Sequence, residues 1–315
     1  MNPHRSSFPA SGAQNFFQKG TTMKVIAELT GGFGNQLFAY ACGYALAKKK
    51  GADLYINTYM ADNGMSRELG IDDLTIEYKG RITYKYKKGL INRAVFNKIR
   101  RQKAIGFGTK IFKENGNFVY HPEVFELNGD VMLSGYWQSD KYFSEYEKDF
   151  RRLFRPKKLS DAAKKSIELI HSLENTVAVH IRRGDYLLAD TNLRMEYFED
   201  AMKIMEEKVG NVNYCFFSDD IDWVKENFGE KENYYFISGQ EGMGYIDEFF
   251  CMVECKHDIT ANSSFSWWAA YLNANPDKVV TAPIVSFWRG DFYPESWIKI
   301  ESTIEQDVKA ERNQA

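Results

Sequence analysis

The chain has no run of about 18 apolar residues, the length that crosses a bilayer, so no transmembrane helix is expected. It has no basic excess: 41 Lys and Arg against 43 Asp and Glu leave a net charge of −2, which argues against a dedicated nucleic-acid binder. Cysteine is scarce, with only Cys42, Cys215, Cys251 and Cys255 in 315 residues, and residues 1–22 lack the apolar stretch of a signal peptide. These absences point to reduced thiols in a cytoplasmic protein without a disulfide framework. Cys251, Cys255 and His257 are close enough in sequence to suggest zinc, but a second ligand pair is missing, and thiols packed on a helix face are the simpler reading. Internal repeats and low-complexity tracts are also lacking.

What is present is apolar (44%) and unusually aromatic (15%). That is enough for a full core, and surplus aromatics also offer flat surfaces to sugars and bases. Residues 1–22 are polar and irregular and read as a leader, disordered or foreign to the fold, because Met23 directly precedes a strand pattern. From there strands and helices alternate. Strands are expected at Lys24–Leu29, Asp53–Asn57, Val131–Tyr136, Thr176–Ile181, Asn213–Ser218, Asn233–Ile237, His257–Thr260 and Lys278–Ala282. Helices are expected at Asn35–Lys50, Lys141–Phe154, Ala162–Leu173, Met195–Val209, Asp222–Phe228, Tyr245–Cys255 and Ser266–Leu272. Such alternation predicts an α/β protein with parallel sheet covered on both faces. Pro156 marks the expected boundary between residues 23–156 and 157–315.

In such sheets ligands sit beyond the carboxyl ends of strands, and three ends here carry polar clusters. His180-Ile181-Arg182-Arg183-Gly184-Asp185 places two arginines where a buried strand gives way to a loop. A guanidinium is always charged and presents a fixed fork of donors, so it suits phosphate, although a surface ion-pair network with Asp185 would use the same residues. Asn262-Ser263-Ser264-Phe265-Ser266 opens a helix; its serines can cap that helix, and the free amides there attract phosphate. Together the two clusters describe a pyrophosphate cradle.

The third end, Ser218-Asp219-Asp220-Ile221-Asp222, suggests either a divalent metal or a helix cap plus a ribose or base contact. With arginines available to stabilise a leaving group, a metal would be redundant, and none is expected. Gly31-Gly32-Phe33-Gly34-Asn35-Gln36 fails as a dinucleotide fingerprint and as a P-loop. It remains a close backbone turn followed by two carboxamides, which could cap the helix or reach across a cleft.

These motifs together resemble those of the bacterial α1,2-fucosyltransferases, glycosyltransferase family 11. His180–Tyr186, Gly31–Phe38, Gly135-Tyr136-Trp137-Gln138-Ser139 with Tyr142-Phe143, and Asn262–Trp268 match in the family's order, from Met23 to about Trp297. The resemblance implies a GT-B architecture, two Rossmann-like domains facing a cleft, with 23–156 on the acceptor side and 157–315 binding GDP-fucose. It implies an inverting, metal-independent transfer of L-fucose from GDP-β-L-fucose to a galactoside. By the same resemblance Arg182 grips the β-phosphate with Arg183 close by. His180 and Asp219 lie near the guanine, Ser263 or Ser264 donates to the pyrophosphate, and Asn35 reaches the donor from the first domain.

Asp185 stands first by position as general base, but could equally orient the arginines; Glu28 and His121 are other candidates. Tyr136 and Trp137 are expected to stack on the acceptor. Trp267 and Trp268 read as core, or as a wall of the cleft. The basic stretch from Tyr84 to Arg101 is either a solvated helical face or a means of peripheral contact with the inner face of an anionic membrane. A transferase using another sugar nucleotide, and a non-catalytic glycan- or nucleotide-binding module, stay open as alternatives.

Overall fold

A computed structural model describes residues 22–84, 93–115, 118–286, 288 and 290–306. The expected leader up to residue 21 and residues 85–92 of the basic stretch lie outside these. Strands β1 (Lys24–Glu28), β2 (Asp53–Asn57), β3 (Gly80–Ile82), β4 (Lys110–Lys113) and β5 (Val131–Ser134) form one sheet in the order β3-β2-β1-β5-β4. Its helices are α1 (Phe33–Lys50), α2 (Tyr59–Asp62) and α3 (Arg93–Ile105), followed by α4 (Glu147–Leu153). The second sheet holds β6 (Thr176–Ile181), β7 (Asn213–Ser218), β8 (Tyr234–Phe236), β9 (His257–Ile259), β10 (Val280–Ile284) and β11 (Ile298–Glu301), in the order β11-β10-β9-β6-β7-β8. Helices α5 (Asp161–Ser172), α6 (Gly184–Leu188), α7 (Met195–Val209), α8 (Ile221–Phe228), α9 (Tyr245–Val253) and α10 (Ser264–Leu272) belong to it. Every strand pair in both sheets is parallel. The molecule is thus two Rossmann-like α/β domains facing a cleft, the GT-B arrangement.

Alternation along the strands decides which helix covers which face. Val25 and Ala27 of β1 and Val131 and Leu133 of β5 join the main core under α1, whereas Ile26 and Met132 turn the other way and meet Ile105 of α3. Strand order also fixes where a ligand belongs. In the first sheet the chain winds outward from β1 and returns beside it as β5; in the second it leaves β6 and returns beside it as β9. Each reversal opens a crevice at the strands' carboxyl ends. Those ends carry the glycine turn with Tyr136 in one domain, and the arginine and serine clusters in the other.

The domains share one core. Phe38 of α1 lies 4.5 Å from the Trp267 ring and 5.0 Å from the Trp268 ring, and Phe143 stacks on Trp268 at 5.1 Å. Both tryptophans are fully buried, so they wall no cleft; much of the aromatic content joins the two sheets. α1 is therefore buried nearly all round, as its sparse polar residues allow. Its first turn abuts that of α10: a Cβ on Gly34 would lie 2.4 Å from the Ser264 carbonyl.

Two sequence expectations change. The helix expected over Lys141–Phe154 is two 3₁₀ turns followed by α4. Phe143 leaves helical geometry (φ −145) and buries its ring against Trp268, while Tyr142 buries against Trp137 and Tyr120. Between the expected strands Asp53–Asn57 and Val131–Tyr136, where the sequence pattern assigns no element, the edge strands β3 and β4 and the outer helix α3 form. The four cysteines are buried and unpaired. His257 spends Nδ1 accepting from the Val279 amide, and no group of three or more possible metal ligands converges among the described residues.

Two predictions follow from this packing. Gly34→Ala should destabilise the protein by about 1–3 kcal/mol in a urea melt, because backbone overpacking outweighs the gain of about 1 kcal/mol in helix propensity. Asp258 is buried on β9, and burial pushes its carboxyl up to about 7, against the smaller opposing effects of Lys278 and the Asn273 amide. Between about pH 4 and pH 7 the unfolded chain ionises here and the folded one does not, so stability falls as pH rises through that window. Asp258→Asn keeps an acceptor for Asn273, which now donates at 2.8 Å. At pH 8 it should gain about 1–4 kcal/mol over the parent, a gain absent at pH 4.

Candidate active site

The glycine turn is built to approach closely. Gly31 has φ +75, and a Cβ there would meet the Asn35 side chain at 2.7 Å. Its amide donates to Ser66 Oγ at 2.7 Å. Gln36, expected either to cap the helix or to reach across the cleft, does neither: it is fully buried, donating to the Gly31 and Glu68 carbonyls (3.1 and 2.7 Å) and accepting from the Ile71 amide (3.3 Å). It therefore fastens the loop 66–71 to the turn. Asn35 Oδ1 accepts from Gln138 Nε2 at 3.0 Å, which turns the Asn35 NH₂ outward as a donor.

That fastened loop carries Arg67, whose guanidinium crosses the cleft to Asp185 at 2.5 Å. Asp185 in turn accepts from Arg182 at 2.6 Å, and the other terminal nitrogen of Arg182 meets Asp219 at 2.8 Å. Gly184 makes room, since a Cβ there would lie 2.4 Å from Asp219 Oδ2. The ion-pair network weighed for the arginines exists, and it lies inside the cleft. Of the five N–H donors of Arg182, two are used. Partial burial raises the Asp185 carboxyl, but the charges of Arg182 and Arg67 outweigh it, and the group sits below the ordinary carboxylate range.

Around this chain lies a cavity of about 750 Å³ between the domains. Its walls include Asn35, His180, Arg182, Asp185, Asp219, Ser263 and Ser264, so the structure brings seven of the ten expected site residues together. Ser263 caps α10, accepting from the Phe265 amide at 3.3 Å, and the first turns of α1 and α10 both open onto the cavity. His180 is buried against Phe265; burial and the Arg182 charge push its imidazole down to about 3, so it is neutral. Its Nδ1 has no hydrogen-bond partner among the described residues.

Three expected residues lie elsewhere. Arg183 does not line the cavity: it pairs with Asp220 at 3.0 Å and lies over the Trp223 ring at 3.6 Å, held there by α8. Trp137 cannot stack on an acceptor, because its ring is fully buried against Phe112 and Tyr142. Tyr136 is 38% exposed and stands beside Gly31, next to the cavity rather than in its wall. The aspartate run is divided among three tasks: Asp219 holds Arg182, Asp220 caps α8 and holds Arg183, and Asp222 sits near Lys225 at 3.9 Å.

Sequence reasoning missed Ser66, Arg67 and Glu68, which lie on an irregular loop, and Tyr245 and Glu248 on α9. Glu248 had one signal: an acid on a strongly apolar helix directly before a core strand. Its carboxyl is raised chiefly by burial, with Ser238 and the Gly239 amide opposing. Glu28, one of the other bases considered, does not line the cavity and is held by Arg101 at 3.2 Å and Ser134 at 2.5 Å. His121 is paired with Glu123 at 3.0 Å.

The chain is 30% identical over 299 residues to an α-1,2-colitosyltransferase of Escherichia coli, covering 88% of this chain and 99% of that protein. It is 29% identical over 308 residues to the O-antigen biosynthesis glycosyltransferase WbnK of Escherichia coli, covering 86% and 99%. A galactoside 2-α-L-fucosyltransferase of Caenorhabditis elegans is 30% identical over 202 residues, 57% of this chain and 56% of that one. Among solved structures, fucosyltransferase NodZ from Bradyrhizobium overlaps with a TM-score of 0.46 at 12% identity, covering 79% of this chain and 92% of that one. An overlap of that depth carries nothing about donor or acceptor. The profile of glycosyl transferase family 11 matches residues 124–301, and with the E. coli relatives aligned almost end to end, the chain belongs to glycosyl transferase family 11.

Proposed function

We propose that this glycosyltransferase moves L-fucose from GDP-β-L-fucose to the 2-hydroxyl of a galactoside, inverting the anomeric centre. The observation that carries the reading is the convergence of Arg182 and two helix N-termini on one cleft between the domains. A single displacement leaves negative charge growing on the β-phosphate. Fixed donors aimed at that charge are the largest source of rate in such a reaction. Arg182, the α1 and α10 amides, Ser264 and the Asn35 amide form that set. Glu248 faces the same cavity, and a carboxylate suits the adjoining N–H donors of a guanine edge, with neutral His180 beside it.

Asp185 acts as a positioning residue. A carboxylate that accepts from two guanidiniums and sits below its ordinary range is a poor proton acceptor. No metal takes part in the proposed reaction: Asp219 and Asp220 are engaged by arginines, and Arg182 supplies the charge that a cation otherwise would.

A second reading concerns the donor sugar. Fucose is 6-deoxy-L-galactose and colitose is its 3-deoxy analogue, so the 30% identity to a colitosyltransferase favours a donor lacking that hydroxyl. Incubation with lactose and either GDP-fucose or GDP-colitose, followed by linkage analysis, separates the two. Turnover of the first to an α1,2-linked product supports the main reading, exclusive turnover of the second replaces it, and transfer only from a UDP-sugar removes both.

Arg182→Ala should lose about 10²–10³-fold in kcat with an unchanged melting temperature, and Arg182→Lys should recover little of it. Asp185→Asn should cost about 10–100-fold in kcat/KM, the scale of a charge-assisted hydrogen bond. It should leave the acid limb of the pH–rate profile in place; loss of that limb would make Asp185 the base. Addition of a chelator should change nothing.

A further inference from the structure

The near-neutral net charge conceals a segregation. Residues 78–113 contain twelve Lys and Arg and no Asp or Glu, while the other 279 residues contain 29 against 43. None of the cavity-lining residues comes from that basic segment, so donor binding does not account for it. Within it Lys79 pairs with Asp53, Arg81 with Asp72 and Arg101 with Glu28. Lys98, Lys103, Lys110 and Lys113 are exposed and have no acidic partner among the described residues.

The fold places Lys98, Lys103 and Lys113 on one side of the first sheet, whereas Lys110 has the parity of Phe112, which packs on the α1 side. α3 covers the face of the first sheet opposite α1, pinned by Ile105 against Ile26 and Met132. α1 joins the second domain, so α3 is on the outside. Lys113, at the end of β4, has the parity of Ile111, which packs on the α3 side. Within this basic face two large apolar side chains stand in solvent: Ile99 is 52% exposed, one helical turn before Lys103, and Phe107 is 78% exposed. Phe107 sits between Gly106 (φ +104) and Gly108 (φ +91), at the tip of the turn leaving α3. An aromatic tip and an aliphatic residue carried by the same helix and turn as Lys98 and Lys103 match a surface that is anionic outside and apolar a few ångströms in.

We infer that this outer face of the N-terminal domain docks on an anionic lipid bilayer, with Lys98 and Lys103 meeting headgroups and Phe107 entering the acyl boundary. The lysines supply attraction that salt screens, and Phe107 supplies a part that salt does not. The cleft opens at the strands' carboxyl edge rather than on this face, so a docked enzyme keeps its donor cavity accessible.

The test is co-sedimentation of the full chain with phosphatidylcholine vesicles, with and without about a third phosphatidylglycerol. Binding should require the anionic lipid and fall steeply between about 0.05 and 0.5 M salt. Each lysine near such a surface is worth about fivefold, so Lys98→Ala with Lys103→Ala should weaken partitioning roughly thirtyfold. Phe107→Ser should weaken it while leaving retention on heparin unchanged, and transfer to a soluble acceptor should be unaffected in all variants. Equal binding to neutral vesicles, no binding to anionic ones at low salt, or heparin retention without vesicle binding would each overturn the inference. So would vesicle binding insensitive to Phe107→Ser.

Discussion

The approach of two helix N-termini, α1 from one domain and α10 from the other, governs the rest of this structure. It is possible because position 34 has no side chain: the Gly34 backbone stands where a Cβ would lie 2.4 Å from the Ser264 carbonyl. Once the first turns touch, Phe38 reaches the indoles of Trp267 and Trp268, and the domains share a core rather than a hinge surface. The same contact sets the orphan amides of both helices at one cleft. Each helix N-terminus carries about half a positive charge, and side by side they favour negative charge in the cleft, which is the basis of the donor site proposed above.

Net side-chain charge does not by itself make this cavity an anion site. The cavity is lined by Arg67 and Arg182 but also by Glu68, Asp185, Asp219 and Glu248. What the acids contribute is direction. Asp185 and Asp219 hold the two terminal nitrogens of Arg182 at 2.6 and 2.8 Å, so the guanidinium is oriented before any ligand arrives. A loose arginine would attract an anion more strongly, but would lose orientational freedom on meeting it; a fixed one gives up some attraction for geometry, which is what the proposed reaction would use. Arg67 extends the arrangement across the cleft and ties it to Gln36 through the loop 66–71. The glycine turn and the arginine motif, 150 residues apart in sequence, thus act as one mechanical unit.

How much of this was legible in the sequence depended on the range of the interaction. The carboxyl-end clusters follow from local patterns: buried strands of β-branched and aromatic residues, then glycine, serine and charge. That is enough to place Arg182, His180, Asp219 and the serines at one sheet edge. Trp137 and Arg183 were misread because nothing local distinguishes a tryptophan that stacks on sugar from one that fills a core, or an arginine that faces a ligand from one folded onto Trp223. Arg67 was invisible because its position depends on Gln36, whose buried amide looks in sequence like a cap or a ligand contact. Glu248 lay in a helix whose strong apolar face marked it as core.

Composition misled in one further way. A net charge of −2 excludes a uniformly basic protein, but it is an average over two surfaces of opposite sign. The basic residues are gathered in the segment 78–113, whose described part supplies β3, α3 and β4 of the first domain, and the rest of the chain carries the acidic excess. Next to an anionic sheet such a molecule has a preferred orientation as well as an affinity, since the acidic remainder is repelled as the basic face is drawn in. The single sheet β3-β2-β1-β5-β4 then has separate duties on its two faces: α1 joins it to the second domain, and α3 and the turn that follows it carry Lys98, Lys103 and Phe107 on the other side. The period-2 alternation of Val25, Ile26 and Ala27 is what keeps those duties apart.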